Sequence, residues 1–114
     1  MAHAIDWPQL KKRCLDDDTF VRELVAVFQR HGRGPLDQLR VAAAAGVLPA
    51  AQKHAHTLKG SAANLAAEPL RAAALAAENA ARTGDSSGLT HLVEAVDAEF
   101  SRCLAEIDRF LATT

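Results

Sequence analysis

The sequence predicts an all-α fold: an antiparallel up-down four-helix bundle with a short N-terminal helix. Three observations lead there. The composition is rich in Ala and Leu, carries four Phe, one Trp and no Tyr, and so offers few positions that favour strands. Apolar residues recur at spacings of three and four along four long segments. Those segments are joined by short runs of Gly, Pro, Asp and Ser, and short connections make neighbouring helices antiparallel. The 114 residues suffice for one modest core, so residues 1–114 are expected to form a single domain.

Asp6-Trp7-Pro8 reads as a helix start, with Asp6 as cap and Pro8 in the first turn, where proline is tolerated. A short helix to about Cys14 follows, with Ile5, Trp7, Leu10 and Cys14 as its apolar residues and Trp7 as a packing anchor. Asp16-Asp17-Asp18 caps the next helix and suits the positive end of its dipole. From Thr19 the stripe is Phe20, Leu24, Val27 and Phe28. Gly32-Arg33-Gly34-Pro35 introduces a kink or short break, after which Leu36, Leu39, Ala42 and Ala43 resume the period to a stop at Gly46.

Pro49 marks the start of a helix running to about Leu65 or Ala66. Glu68-Pro69 opens another, with Leu70, Ala73, Ala74, Ala77 and Ala81 on one face. Thr83 to Gly88 is a turn with capping residues. The last helix carries Leu89, Leu92, Val93, Val96, Phe100, Leu104, Ile107 and Leu111. Every apolar stripe then finds a partner within one bundle, and a monomer is expected.

Thirteen Lys and Arg stand against fourteen Asp and Glu, without the basic excess of a nucleic-acid binder. Lys11-Lys12-Arg13 reads as a solvated face that could steer an acidic partner. Cys14 and Cys103 have no metal-ligand spacing and fit two buried free thiols in a reducing compartment. The longest apolar run, Val41 to Ala51, contains Pro49 and is too short to span a bilayer. The expectation is a cytoplasmic chain that makes no membrane contact, either free-standing or a domain of a larger protein.

One stretch carries residues chosen for chemistry: His54-Ala55-His56-Thr57-Leu58-Lys59-Gly60-Ser61-Ala62-Ala63-Asn64-Leu65. A mid-helix glycine costs roughly 1 kcal/mol against alanine, so Gly60 asks for a reason. At 100° per residue, Leu48, Ala51, Ala55, Leu58, Ala62 and Leu65 form the buried stripe. His56 then lies about 140° from its centre and faces outward. Lys53 and Gly60 share that outward face, Lys59 and Ala63 flank it, and His54 sits at the packing edge. Gln52 and Asn64 complete the neighbourhood that a docking partner would meet.

A neutral imidazole is nucleophilic, and its ordinary pKa of about 6.5 keeps much of it neutral at pH 7. His56 is therefore a candidate phosphoryl acceptor. Lys59, one turn away, is placed to neutralise the transferred group. Gly60 and Ala63 leave space for another protein's active site. A metal site is disfavoured: His54 and His56 stand about 200° apart, and no His, Asp, Glu or Cys is a helical neighbour of His56. His3, His31 and His91 are isolated. Ser61 lacks the strand-turn-helix setting of a nucleophilic serine.

The run from His56 to Leu65 closely resembles the signature of histidine-containing phosphotransfer (HPt) domains of bacterial two-component phosphorelays. The resemblance continues through Leu70, Leu75-Ala76-Ala77-Glu78 and Arg82-Thr83-Gly84-Asp85, and with Phe28 and Leu36 it covers most of the chain. It implies a helical bundle whose exposed His56 accepts phosphate from the phosphoaspartate of a response-regulator receiver domain and passes it to another receiver. It implies Lys59 at the phosphoryl group and Gly60 as the access point. No nucleotide signature is present, so a carrier rather than an enzyme is expected, with no cofactor of its own and Mg²⁺ held by the partner receiver. A hybrid sensor histidine kinase is a further expected partner or parent. The alternative is a receiver-binding module that carries no phosphate.

Ala66 departs from the family pattern, standing where many members have glycine. In some members a polar residue on the following helix hydrogen-bonds the histidine. Glu78 is the nearest match by position, Gln52 is a rival on the same helix as His56, and the sequence does not choose between Gln52, Glu78 or neither.

Overall fold

The computed structural model describes residues 3–113. Six helices and no strand occur among them: α1 Trp7–Arg13, α2 Asp18–His31, α3 Arg33–Ala45, α4 Leu48–Asn64, α5 Glu68–Thr83 and α6 Ser86–Ala112. The 27 residues of α6 span about 40 Å at 1.5 Å per residue, close to the 44 Å length of the molecule. It is the mast against which the shorter elements pack. Helices α3, α4, α5 and α6 contact one another in a closed ring, while α2 leans on α6 and α3, and α1 on α2.

The helix starts follow two chemistries. Asp6, Asp17 and Asp85 cap α1, α2 and α6 by accepting backbone N–H groups of the first turn. Helices α4 and α5 begin after Val47 and Ala67 with no side-chain cap, and Pro49 and Pro69 sit in their first turns. Proline there removes a donor that would otherwise go unpaired.

The expected break between α2 and α3 is a single residue, Gly32, with helical φ −66° and ψ −27°. A Cβ at this position would meet the Phe100 ring at 3.1 Å. Glycine thus lets the joint press against α6. The expected stripe on α2 needs correction: Val21, Val25 and Phe28 are buried, whereas Phe20 and Val27 are exposed and Leu24 is only partly covered. Contact with α6, including a Phe28–Phe100 ring pair at 5.0 Å, selects the rotated face. With Leu15, Val41 and Val47 also exposed, not every apolar position finds a partner within the bundle, contrary to expectation.

On α4 the buried set is Ala51, Ala55, Leu58 and Ala62, as the 100° rule predicts, and α5 buries Leu70, Ala74, Ala77, Ala80 and Ala81 against its neighbours. Alanines on both helices hold the two backbones close. The turn between them ends α4 at Asn64, slightly earlier than expected, and puts Ala66 at φ +55°. That is the left-handed region where glycine is at ease, which accounts for the family preference and shows that alanine adopts the same turn here.

The segment around α1 is tied at both sides. Asp6 N–H donates to the Ala66 carbonyl at 2.9 Å, and Arg13 Nη1 donates to the Ala63 carbonyl at 2.6 Å. On the α6 side, Glu106 accepts from the Ala4 N–H at 2.6 Å, the Ile5 N–H at 3.2 Å and Trp7 Nε1–H at 3.0 Å, while Trp7 stacks on Phe110. Burial raises the Glu106 pKa, but these three donors outweigh it and hold the carboxyl below its ordinary value. Cys14 and Cys103 are free and buried, and burial pushes the Cys103 thiol up to about 12. No described helix is long and apolar enough to cross a membrane.

Candidate functional site

His56 lies midway along α4 with its side chain 66% exposed. Its ring is not free on all sides. Nδ1 stands 2.9 Å from Glu78 Oε2 on α5. The other carboxylate oxygen, Oε1, is closed to solvent and faces the Lys59 ammonium at 2.8 Å. Glu78 is only 13% exposed, so this carboxylate is wedged between the two helices with a basic partner on each oxygen. The alanine-lined contact between α4 and α5 brings a side chain as short as glutamate across to both partners.

The Lys59 ammonium, first, and the His56 ring both favour the charged form of Glu78 and outweigh its partial burial, so its pKa lies below the ordinary value. An ionised carboxylate only accepts hydrogen bonds, so the proton of the contact belongs to His56 Nδ1. In the neutral ring that leaves the lone pair on Nε2, the nitrogen pointed away from Glu78.

Of the two residues the sequence left in contention for the ring, the structure places Glu78 at Nδ1. Gln52, half-buried on α4, makes no hydrogen bond to His56 among the described residues. The reason is geometric: Gln52 lies one turn along the same helix, whereas Glu78 approaches from the side. Lys59 is half-buried and engaged by Glu78, a contact that sequence reasoning missed. Glu78 is a candidate in the sequence only through the family resemblance; no period within one helix tells that it meets α4.

The remaining expected residues fall on the open face. Gly60, Lys53, Ala63 and Asn64 are exposed, and a Cβ built on Gly60 meets nothing within 4 Å. The Thr57 hydroxyl donates back to the Lys53 carbonyl at 3.2 Å and turns away from a docking role. His54 points toward the α3–α4 groove lined by Val41, Val47 and Ala50. The two histidines therefore serve different surfaces. Among the described residues, no cluster of three His, Cys, Asp or Glu is gathered as a metal site.

An exposed, singly hydrogen-bonded imidazole beside an ion pair and a bare helix face can accept an electrophile delivered by another protein. No curated protein and no solved structure matches the chain. The family model described as Hpt domain matches residues 23–110, which include His56, Lys59, Gly60 and Glu78. Hpt domains are helical bundles that carry phosphoryl groups in two-component phosphorelays and interact with receiver domains of response regulators. On that match the chain belongs to the Hpt domain family.

Proposed function

We propose that residues 1–114 act as a single phosphorelay intermediate, with His56 as phosphoacceptor between two receiver domains. The observation that carries this reading is the His56–Glu78 contact. Nδ1–H donates to the Glu78 carboxylate, so in the neutral ring the lone pair is on Nε2, on a side chain that is 66% exposed and one turn from the open Gly60.

The Nε2 lone pair attacks phosphorus of the receiver's phosphoaspartate. The bond to the aspartyl oxygen breaks, and its electron pair stays on that carboxylate. The ring, now bonded to phosphorus at Nε2 and to hydrogen at Nδ1, bears positive charge that the Glu78 carboxylate stabilises. Lys59 reaches the phosphoryl oxygens by loosening its contact with Glu78, so one ammonium serves the resting site and then the loaded one. Lys53, Asn64, Gln52 and Ala63 form the docking surface around the ring.

The receiver brings Mg²⁺; the domain itself needs neither metal nor nucleotide and does not label from ATP. Helices α3 to α6 are taken to alternate in direction, the chain to be cytoplasmic and monomeric, and a hybrid sensor kinase to be the upstream source of phosphate. Incubation with a radiolabelled phosphoreceiver tests the reading. Wild type should acquire acid-labile phosphate, and His56→Gln should acquire none while keeping its helical circular dichroism. Label on the His56→Gln chain would refute the assignment. Receiver binding without label on wild type would favour an interaction module instead.

A further inference from the structure

The basic run at the end of α1 is divided by the fold. Lys11 faces α6, in a cleft with His3, Trp7, Arg109 and Phe110. Arg13 reaches the other way, to the Ala63 carbonyl near the end of α4. Ala63 is seven residues from His56, which places it within about 20° of the same helix face and about 10 Å along the axis. Gly60 lies between them and leaves the path flat.

Arg13 is exposed; Asp6 and Glu68 line the same cleft, Asp6 capping α1 and Glu68 engaged by Arg71, and among the described residues no carboxylate forms an ion pair with Arg13. The nearby Arg71 differs: its Nε and Nη2 donate to both oxygens of Glu68, at 2.7 and 2.6 Å, and its charge is neutralised. The Ala63 contact occupies one of the five guanidinium N–H donors of Arg13 and leaves the rest of the fork for a partner. A protein interface of ordinary size covers about 800 Å² on each partner, a disc of radius about 16 Å. Such a footprint centred on His56 takes in the Ala63 carbonyl and the guanidinium on it. Lys53, exposed one turn to the other side of His56, also lacks a carboxylate partner among the described residues.

We infer that Arg13 is a docking residue: α1 places an unneutralised guanidinium on the His56 face to receive a carboxylate from the rim of the incoming receiver domain. This rests on the phosphotransfer reading. The partner chemistry follows from two facts. A guanidinium fork matches a carboxylate by paired hydrogen bonds. A protein that holds Mg²⁺ does so with carboxylates, so its active-site rim is acidic. A charge of this kind acts on encounter and register more than on the chemical step.

The test measures transfer from the phosphorylated receiver that labels wild type fastest, chosen from a panel of receivers of the source genome. Arg13→Gln keeps a donor for the Ala63 carbonyl and removes the charge. Arg13→Glu reverses it. Lys11→Glu makes the same charge change on the α6 side and serves as control. The second-order rate constant should fall roughly threefold for Arg13→Gln and tenfold or more for Arg13→Glu at about 50 mM salt. The saturating rate should stay constant, the difference should shrink at about 300 mM salt, and Lys11→Glu should stay within about twofold of wild type. Wild-type rate constants in both Arg13 variants would overturn the inference. So would equal losses in Arg13→Glu and Lys11→Glu, which would indicate net charge alone. So would an Arg13→Gln chain whose melting temperature and saturating rate fall together, since that marks a helix cap. Failure of wild type to take label from any receiver is a separate result, and it removes the phosphotransfer reading itself.

Discussion

Nδ1 of His56 lies 2.9 Å from Oε2 of Glu78, a contact between two helices that decides which ring nitrogen is free. Glu78→Gln keeps an acceptor for Nδ1–H but removes the charge. Transfer to His56 should slow about tenfold, the kinetic equivalent of ~1.4 kcal/mol. Stability should fall by about 1 kcal/mol as Lys59 loses its counter-ion. The folded pKa of Glu78 is lowered, chiefly by Lys59. Its stabilisation is therefore full above the unfolded carboxylate pKa and lost as pH falls through the folded one. Urea denaturation of wild type and Glu78→Gln should give curves whose gap closes in that acid window. A gap that persists below it would show that Glu78 acts by packing rather than charge.

Lys59→Ala should lower the transfer rate or shorten the lifetime of the phosphohistidine, since a charge-assisted contact is worth ~1.5–3 kcal/mol. Because Lys59 and Glu78 touch, the double variant Lys59→Ala/Glu78→Gln should lose less than the sum of the single losses. Strict additivity in transfer kinetics would separate the two residues.

Gly60 has open space at its Cβ position, so Gly60→Ala should stabilise the helix by about 0.5–1 kcal/mol. Gly60→Gln should be at least as stable as wild type yet transfer slowly, because the side chain fills the approach to His56. Thermal melts and receiver-transfer kinetics separate the two effects. A Gly60→Gln variant with wild-type kinetics would remove the access argument.

Ala66 is held at φ +55° between α4 and α5. Ala66→Gly should relieve the left-handed strain and raise stability by up to about 1 kcal/mol, less what is lost with a buried methyl. Chemical denaturation measures this directly. A destabilised variant would mean that the methyl packing outweighs the backbone strain.

Glu106 gathers the N–H groups of Ala4 and Ile5 and the indole of Trp7. Glu106→Gln should cost about 1–3 kcal/mol, since charged acceptors make the stronger bonds and the amide keeps one accepting oxygen, leaving either the Ala4 N–H or the Ile5 and Trp7 donors without theirs. The single Trp should report it by a red-shifted fluorescence maximum. Its folded pKa is also lowered, so wild type should lose this tie as pH falls through that value and approach the variant. Unchanged fluorescence would place the segment's stability in the Trp7–Phe110 stack alone.

Much of this molecule was legible in the sequence because an α-helix is a rigid ruler. Helix starts at Asp6, Asp17 and Pro49, stops at Gly46 and Gly84, the buried face of α4 and the outward face of His56 all follow from spacing and capping within a single element. The motif around His56 is local for the same reason. What the tertiary structure decided lies between elements. Phe20 and Val27 are as apolar as Val21 and Val25, and only packing against α6 chose which pair to bury. Glu78 beside His56, Arg13 over Ala63 and Glu106 under the N-terminal segment each join residues from different helices. Those meetings depend on interhelical register and distance, set by how the alanine faces and the Gly32 joint close together. A period of 3.6 residues contains no information about either.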